Sequence, residues 1–147
     1  MTGILELVSG YPRREFAPGE TVIRQGETSP AILILFQGEV EVARDGIRLA
    51  KSSEPGAVFG EISALLGGPY TASVRALKPS TFAVIEEPEA LFAQSTEASL
   101  HVARLLARRI NTLNQYLVDV KRQYEGHDHL GMVDEVLDTL MNRPQRG

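Results

Sequence analysis

With 147 residues, 43% of them hydrophobic and 23% charged, the chain has material for one domain with a sizeable core plus an appendage, and its composition is that of a globular protein rather than a disordered one. Cysteine is absent, which excludes a disulfide framework and a thiolate metal site. No run approaches membrane-spanning length, the opening MTGILELVSGYP lacks the basic start and cleavage site of a signal peptide, and residues 1–98 carry eight basic against thirteen acidic residues, a balance that repels nucleic acid.

In chain order, Thr2 to Ser9 predicts a short helix. Strands follow at Thr21 to Arg24, Ala31 to Phe36, Val40 to Arg44, Arg48 to Lys51, Ala72 to Ala76 and Thr81 to Glu86, separated by the turns Pro18-Gly19, Gln25-Gly26, Asp45-Gly46, Pro55-Gly56 and Gly67-Gly68. Short strands at this spacing predict an antiparallel double-sheet roll of the jelly-roll type. With its helices, the expected fold is mostly β with flanking helices, an α+β class. The pattern changes at Pro88. From Glu89 to about Glu125 there is neither Gly nor Pro and the period turns helical, giving a short helix to Gln94 and a long one from Ser95 or Thr96. Beyond the linker Glu125-Gly126-His127-Asp128-His129, residues Gly131 to Asn142 predict an amphipathic helix. Leu130, Val133, Val136, Leu137, Leu140 and Met141 form its apolar face, with Asp134, Glu135 and Asp138 opposite. The expected organisation is therefore a roll over 1–94, a long helix over 95–125, and a linker with a final helix over 126–147.

The most informative segment is Phe59 to Ala76, FGEISALLGGPYTASVRA. It places a Gly-Glu at the mouth of a short helix and a Pro-x-Thr-Ala turn before an alternating strand, the layout of a phosphate cradle. Backbone N–H groups in the first turn, around Ile62, Ser63 and Ala64, converge at the positive end of the helix dipole. Gly60 lets the backbone approach closely. Glu61 repels a phosphate but can accept a hydrogen bond from a sugar hydroxyl, or it can simply cap the helix. Phosphate plus ribose is the ligand so implied.

This segment resembles the phosphate-binding cassette of the cyclic nucleotide-binding domain, the sensor module of catabolite activator proteins and protein kinase A regulatory subunits. Upstream, Phe16-Ala-Pro-Gly19-Glu20-Thr-Val-Ile23-Arg-Gln25-Gly26-Glu27 and Ile32-Leu-Ile34-Leu-Phe-Gln-Gly38-Glu-Val40-Glu-Val42 are similar to the opening strands of the same family. Residues 15–42 and 56–76 fit its pattern without gaps. The resemblance implies a cytoplasmic regulatory domain without catalytic activity, with cyclic AMP or cyclic GMP as ligand and a cassette of Gly60, Glu61, Ile62, Ser63, Tyr70, Thr71 and Ala72. No cofactor is specified.

One position departs from the pattern. Where the family carries an arginine that pairs with the cyclic phosphate, after Pro69, this chain has Tyr70. A phenol offers one hydrogen bond and no charge at neutral pH, against a bidentate guanidinium. Losing such a partner at a desolvated site costs about 2 to 5 kcal/mol, roughly 30-fold to several thousand-fold in affinity. Tyr70 can be a ligand contact, a plug of the pocket or an exposed aromatic. Thr71 stands where relatives preferring cyclic GMP carry threonine, and Ser63 adds a hydroxyl near the phosphate. Arg75 lies about 17 Å along the strand from Tyr70 and on the face of Thr71 and Ser73, so it reads as a solvated charge.

The long helix carries an apolar seam at Ala103, Leu106, Ile110, Leu113, Leu117, Val120 and Tyr124, spaced alternately three and four, between polar flanks that include Arg109, Gln123, Asn114 and Lys121. A seam this narrow suits a partner helix, and the family's activator proteins dimerise through this helix, so a homodimer is expected. The alternative is packing on its own roll, which Val102, Leu105 and Leu106 are expected to do. The final helix can close the pocket mouth, dock on the dimer partner or hold another protein. A family transcription factor would continue with a helix-turn-helix; only about twenty residues follow the linker, so nucleic acid is not expected as a partner, nor a membrane. His127, Asp128 and His129 read as a solvated loop rather than a metal site, since neighbours two apart do not converge on a helix. Two functions compete: a stand-alone sensor weakened by Tyr70, and a dimeric protein-interaction module on a fold that no longer binds nucleotide.

Overall fold

The computed structural model describes residues 3–124 and 130–142, and among these the side chains of 3–124 and 135–142. In order, the elements are α1 (Ile4–Leu7), β1 (Arg13–Phe16), β2 (Thr21–Ile23), β3 (Ile32–Gln37), β4 (Val40–Arg44), β5 (Ile47–Ser52), β6 (Val58–Phe59), α2 (Glu61–Leu66), β7 (Ser73–Ala76), β8 (Ser80–Ile85), α3 (Pro88–Gln94), α4 (Thr96–Gln123) and α5 (Leu130–Asn142). The strands form two four-stranded sheets, ordered β1-β8-β3-β6 and β2-β7-β4-β5. Every pairing is antiparallel. This is the double-sheet α+β fold the turn spacing predicts. Two strands escape the pattern, β1 because Arg13, Arg14 and Glu15 are all exposed, and β6 because it has two residues.

Alternation explains where the core sits. Leu33 and Leu35 of β3, Val74 and Ala76 of β7, and Phe82 of β8 point into the roll with Phe16, Ile23 and Phe59. Phe82 takes Phe16 and Phe59 edge to face, with ring centroids 5.7 and 5.9 Å away, the arrangement aromatic quadrupoles favour. Ile32 and Ile34 alternate to the other side of β3 and are fully buried as well. A strand buried on both faces must be continuously apolar, as Ile-Leu-Ile-Leu is.

Helix ends carry local instructions. Pro88 opens α3, where its missing N–H costs nothing. Ser95 Oγ accepts the Ala98 N–H at 3.0 Å to start α4, and the Ser99 hydroxyl donates to Phe92 O at 2.9 Å, tying the two helices at their joint. Lys121 and Arg122 complement the dipole in the last turn of α4. Early in α4, Nε2 of His101 donates to the Gly56 carbonyl at 2.7 Å.

The chain divides into two compact units, the first ending at Val102 and the second starting at Ala103. In the first, Ala98 and Val102 of α4 are buried. In the second, Leu105 is buried, Leu106, Leu117 and Val120 are half-buried, and Ala103, Ile110, Leu113 and Tyr124 are exposed. Val136, Leu140 and Met141 of α5 are exposed and Leu137 half-buried. His127, Asp128 and His129 lie outside the described residues.

Candidate functional site

The segment Phe59 to Ala76 folds as β6, α2, a Gly-Gly turn and β7. Gly60 caps α2 with φ +85°, a left-handed conformation that costs glycine little. A Cβ there would lie 3.0 Å from the Ala31 carbonyl oxygen and 3.0 Å from Cε1 of Tyr70. Close approach is therefore real at Gly60, but what approaches is the protein itself.

Tyr70 is 7% exposed and belongs to the roll's interior cluster. Its hydroxyl donates to Ala31 O at 2.7 Å, which satisfies the one polar atom that a buried tyrosine must place. Its backbone is held on both sides: the Tyr70 N–H donates to Glu27 O at 2.9 Å, and Gly26 N–H donates to Tyr70 O at 2.9 Å. Ala31, Gly26 and Glu27 thus contact Tyr70, although in the sequence they read as parts of a turn and a strand and not of the cassette. The sequence leaves Tyr70 open as ligand contact, plug or exposed aromatic, because it lies ahead of β7, where strand alternation does not apply, and its acceptor is 39 residues upstream.

The remaining cassette residues are distributed as follows. Glu61 is buried at 7% exposure in the first turn. Ile62 turns outward at 43% exposure, together with Leu65 and Leu66. Thr71 and Ala72 are half-buried. The Ser63 hydroxyl donates to Gly68 O at 2.6 Å, so its proton is spent within the cassette rather than offered to a ligand. The Ala64 N–H donates to Gly60 O at 3.2 Å, the first bond within the helix, so it is engaged there and only the N–H groups ahead of it lie at the open end of α2. Gly60 and Tyr70 meet, Glu61 and Ser63 are buried in α2, and the Ile62 side chain points away.

Arg75 provides no substitute charge. It is about half exposed and pairs with Glu41 at 2.8 Å, and Arg48 reaches the same carboxylate at 3.1 Å. A groove of about 490 Å³ borders the cassette, lined by Pro30, Ser63, Ala64 and residues 86–90. Glu86, Glu87 and Glu89 make it acidic and unsuited to a phosphate. Among the described residues, no group of three or more histidine or carboxylate side chains could hold a metal, and no helix is long and apolar enough to cross a membrane.

Residues 13–94 match the family described as the cyclic nucleotide-binding domain. A cGMP-dependent protein kinase of Caenorhabditis elegans is 29% identical over 136 residues, covering 92% of this chain and only 16% of the kinase. The catabolite activator protein of Thermus thermophilus superposes with a TM-score of 0.63 at 24% identity, over 90% of this chain and 79% of the other. A cyclic nucleotide-binding domain from Methylobacillus flagellatus gives 0.63 at 22% identity, over 84% and 74%. At these identities the two solved structures speak for the fold.

Proposed function

The chain belongs to the cyclic nucleotide-binding domain family, and we propose that it acts as a non-catalytic, dimeric regulatory domain in the cytoplasm whose cradle takes a cyclic nucleotide, cyclic AMP or cyclic GMP, with affinity weakened by Tyr70. The observation that carries this reading is the placement of Tyr70: a buried phenol stands at the position of the family's phosphate-pairing arginine, and its hydroxyl is committed to Ala31 O. A ligand phosphate meets no guanidinium there, and entry requires the ring to move. Glu61 and the first turn of α2 are the groups left to receive ribose and phosphate. Binding would shift the cassette, and through the joint at residues 86–92 the helix α4, a change driven by differential affinity for two arrangements. The seam of α4 supports the dimer, and α5 offers a surface for a second protein.

A second reading is favoured by the hydrogen bonds inside the cassette. With Tyr70 donating to Ala31 and Ser63 donating to Gly68, the two side-chain hydroxyls of the cassette are satisfied without a ligand. On that reading the site is closed for good and the molecule is a dimeric interaction module that does not bind nucleotide.

Calorimetric titration of cyclic AMP and cyclic GMP into the wild-type protein and Tyr70→Arg separates the two. Weak wild-type binding that tightens by about 30-fold or more in the variant supports the sensor. Micromolar binding by the wild type would remove the weakening ascribed to Tyr70. Silence in both proteins would leave the interaction module.

A further inference from the structure

We infer that Tyr70 is a built-in latch that holds the cassette in one fixed position when no nucleotide is present. The inference rests on the reading of Phe59 to Thr71 as the regulatory element, and it concerns how that element is controlled. Three pieces of chain that are distant in sequence meet at one ring. Gly60 opens the cassette, and its Cα lies so close to Tyr70 and to the Ala31 carbonyl that a single added carbon would stand 3.0 Å from each. Tyr70 closes the cassette, and Ala31 leads into β3, an inner strand of its sheet. The phenol hydroxyl joins the second to the third at 2.7 Å.

Main-chain bonds reinforce the same join. Tyr70 and the turn at Gly26 and Glu27 exchange two hydrogen bonds of 2.9 Å each, and the neighbouring Gln25 N–H donates to Ser73 Oγ at 2.9 Å. The cassette's own ends are drawn together by the Ser63 hydroxyl on Gly68 O at 2.6 Å. A surface loop carrying an anion site ordinarily keeps polar groups waiting for its ligand and gains order when that ligand arrives. Here the ordering contacts come from the chain. The ring adds apolar burial to the interior, and its hydroxyl bridges cassette and roll.

Hydrogen exchange read by mass spectrometry on the full chain, without nucleotide, tests the latch in three proteins: wild type, Tyr70→Phe and Ser63→Ala. The phenylalanine keeps the ring in the core and removes only the bond to Ala31. The wild-type cassette is expected to be protected, and Tyr70→Phe to speed exchange of residues 60–70 and 24–31 by about fivefold to tenfold, the worth of one buried hydrogen bond, with β3 and β8 unchanged. Ser63→Ala should speed exchange only within residues 62–69. A wild-type cassette that exchanges as fast as an open loop overturns the latch, and so does a Tyr70→Phe protein whose cassette keeps its wild-type protection. A general rise that includes β3 and β8 would show a stability effect and also overturns it. The nucleotide titrations decide the sensor reading separately: silence in calorimetry together with a cassette loosened in Tyr70→Phe leaves the latch standing and removes the sensor.

Discussion

Gly38 shows how far a single position can be fixed by its surroundings. Its φ is +121°, and a Cβ built on it would stand 2.6 Å from the Cα of Ser80 and closer still to the Ser80 hydroxyl. Ser80 is itself buried, accepting the Glu39 N–H at 3.2 Å and donating to Lys78 O at 2.8 Å. Two penalties therefore coincide for any other residue at 38, a backbone conformation that side chains resist and a collision with main chain that no rotamer relieves. Gly38→Ala is expected to lose more than about 3 kcal/mol, seen as a lowered urea midpoint. Ser80→Gly should fail to rescue it, because the Ser80 Cα stays where it is. Ser80→Ala alone should cost about 1 to 3 kcal/mol through the unpaired Glu39 N–H. A Gly38→Ala protein as stable as wild type would mean that strands β3 and β8 are further apart at this point.

At the scale of elements, the hairpin β4–β5 is built from three devices that the sequence shows unequally. Asp45-Gly46 is visible as a turn, and Asp45 does adopt the left-handed conformation with φ 53° that such hairpins require. Its tether is not visible: the Gln25 amide donates to the Asp45 carboxylate at 2.8 Å and accepts the Asp45 N–H at 2.9 Å, across 20 residues. The third device is a bulge, for Val42 pairs with Ala50 and Ala43 with Arg48, leaving Leu49 without a partner on the edge strand. Leu49 and Ile47 are 60% and 68% exposed, and a bulge that twists the edge is one way to discourage another strand from adding there. Gln25→Ala is expected to speed exchange of the Asp45 amide and to cost about 1 kcal/mol, a change that thermal unfolding followed by circular dichroism would register. Glu41→Gln should cost about 1 kcal/mol or less, and less again in high salt, since both arginines that face Glu41 are about half exposed. The same contrast governs the candidate site. Period, turn glycines and the cassette motif were legible because each is written within a few residues. The contacts Tyr70–Ala31, Gln25–Asp45 and Gly38–Ser80 span 20 to 42 positions and depend on which strands pair, which no local pattern states. Strand β1 was hidden for a related reason, since its three exposed residues show no alternation and only its pairing with β8 makes it a strand.

For the whole molecule, the proposed dimer turns on the second half of α4. Val102 and Leu105 are buried at 4% and 6% exposure, whereas Ile110, Leu113 and Tyr124 of the seam are 57%, 49% and 39% exposed, and Tyr116 beside it is 62% exposed. Apolar groups gathered along one stripe of a long helix gain free energy by meeting another apolar surface, and the proposed dimer would cover this row. A copy of the same helix satisfies the stripe by symmetry, each seam residue meeting its equivalent in a parallel pair. The double variant Ile110→Asp and Leu113→Asp places four carboxylates at the centre of that pair and leaves Val102 and Leu105 untouched. Light scattering at micromolar concentration should give a dimer for the wild type and a monomer for the variant, with far-ultraviolet circular dichroism retained from the roll. The wild-type thermal midpoint should rise with protein concentration and that of the variant should not, because only association adds a concentration term to stability. A wild type that is monomeric under these conditions would assign the exposed stripe to a different protein, and the partner would then be sought with α4 as the bait.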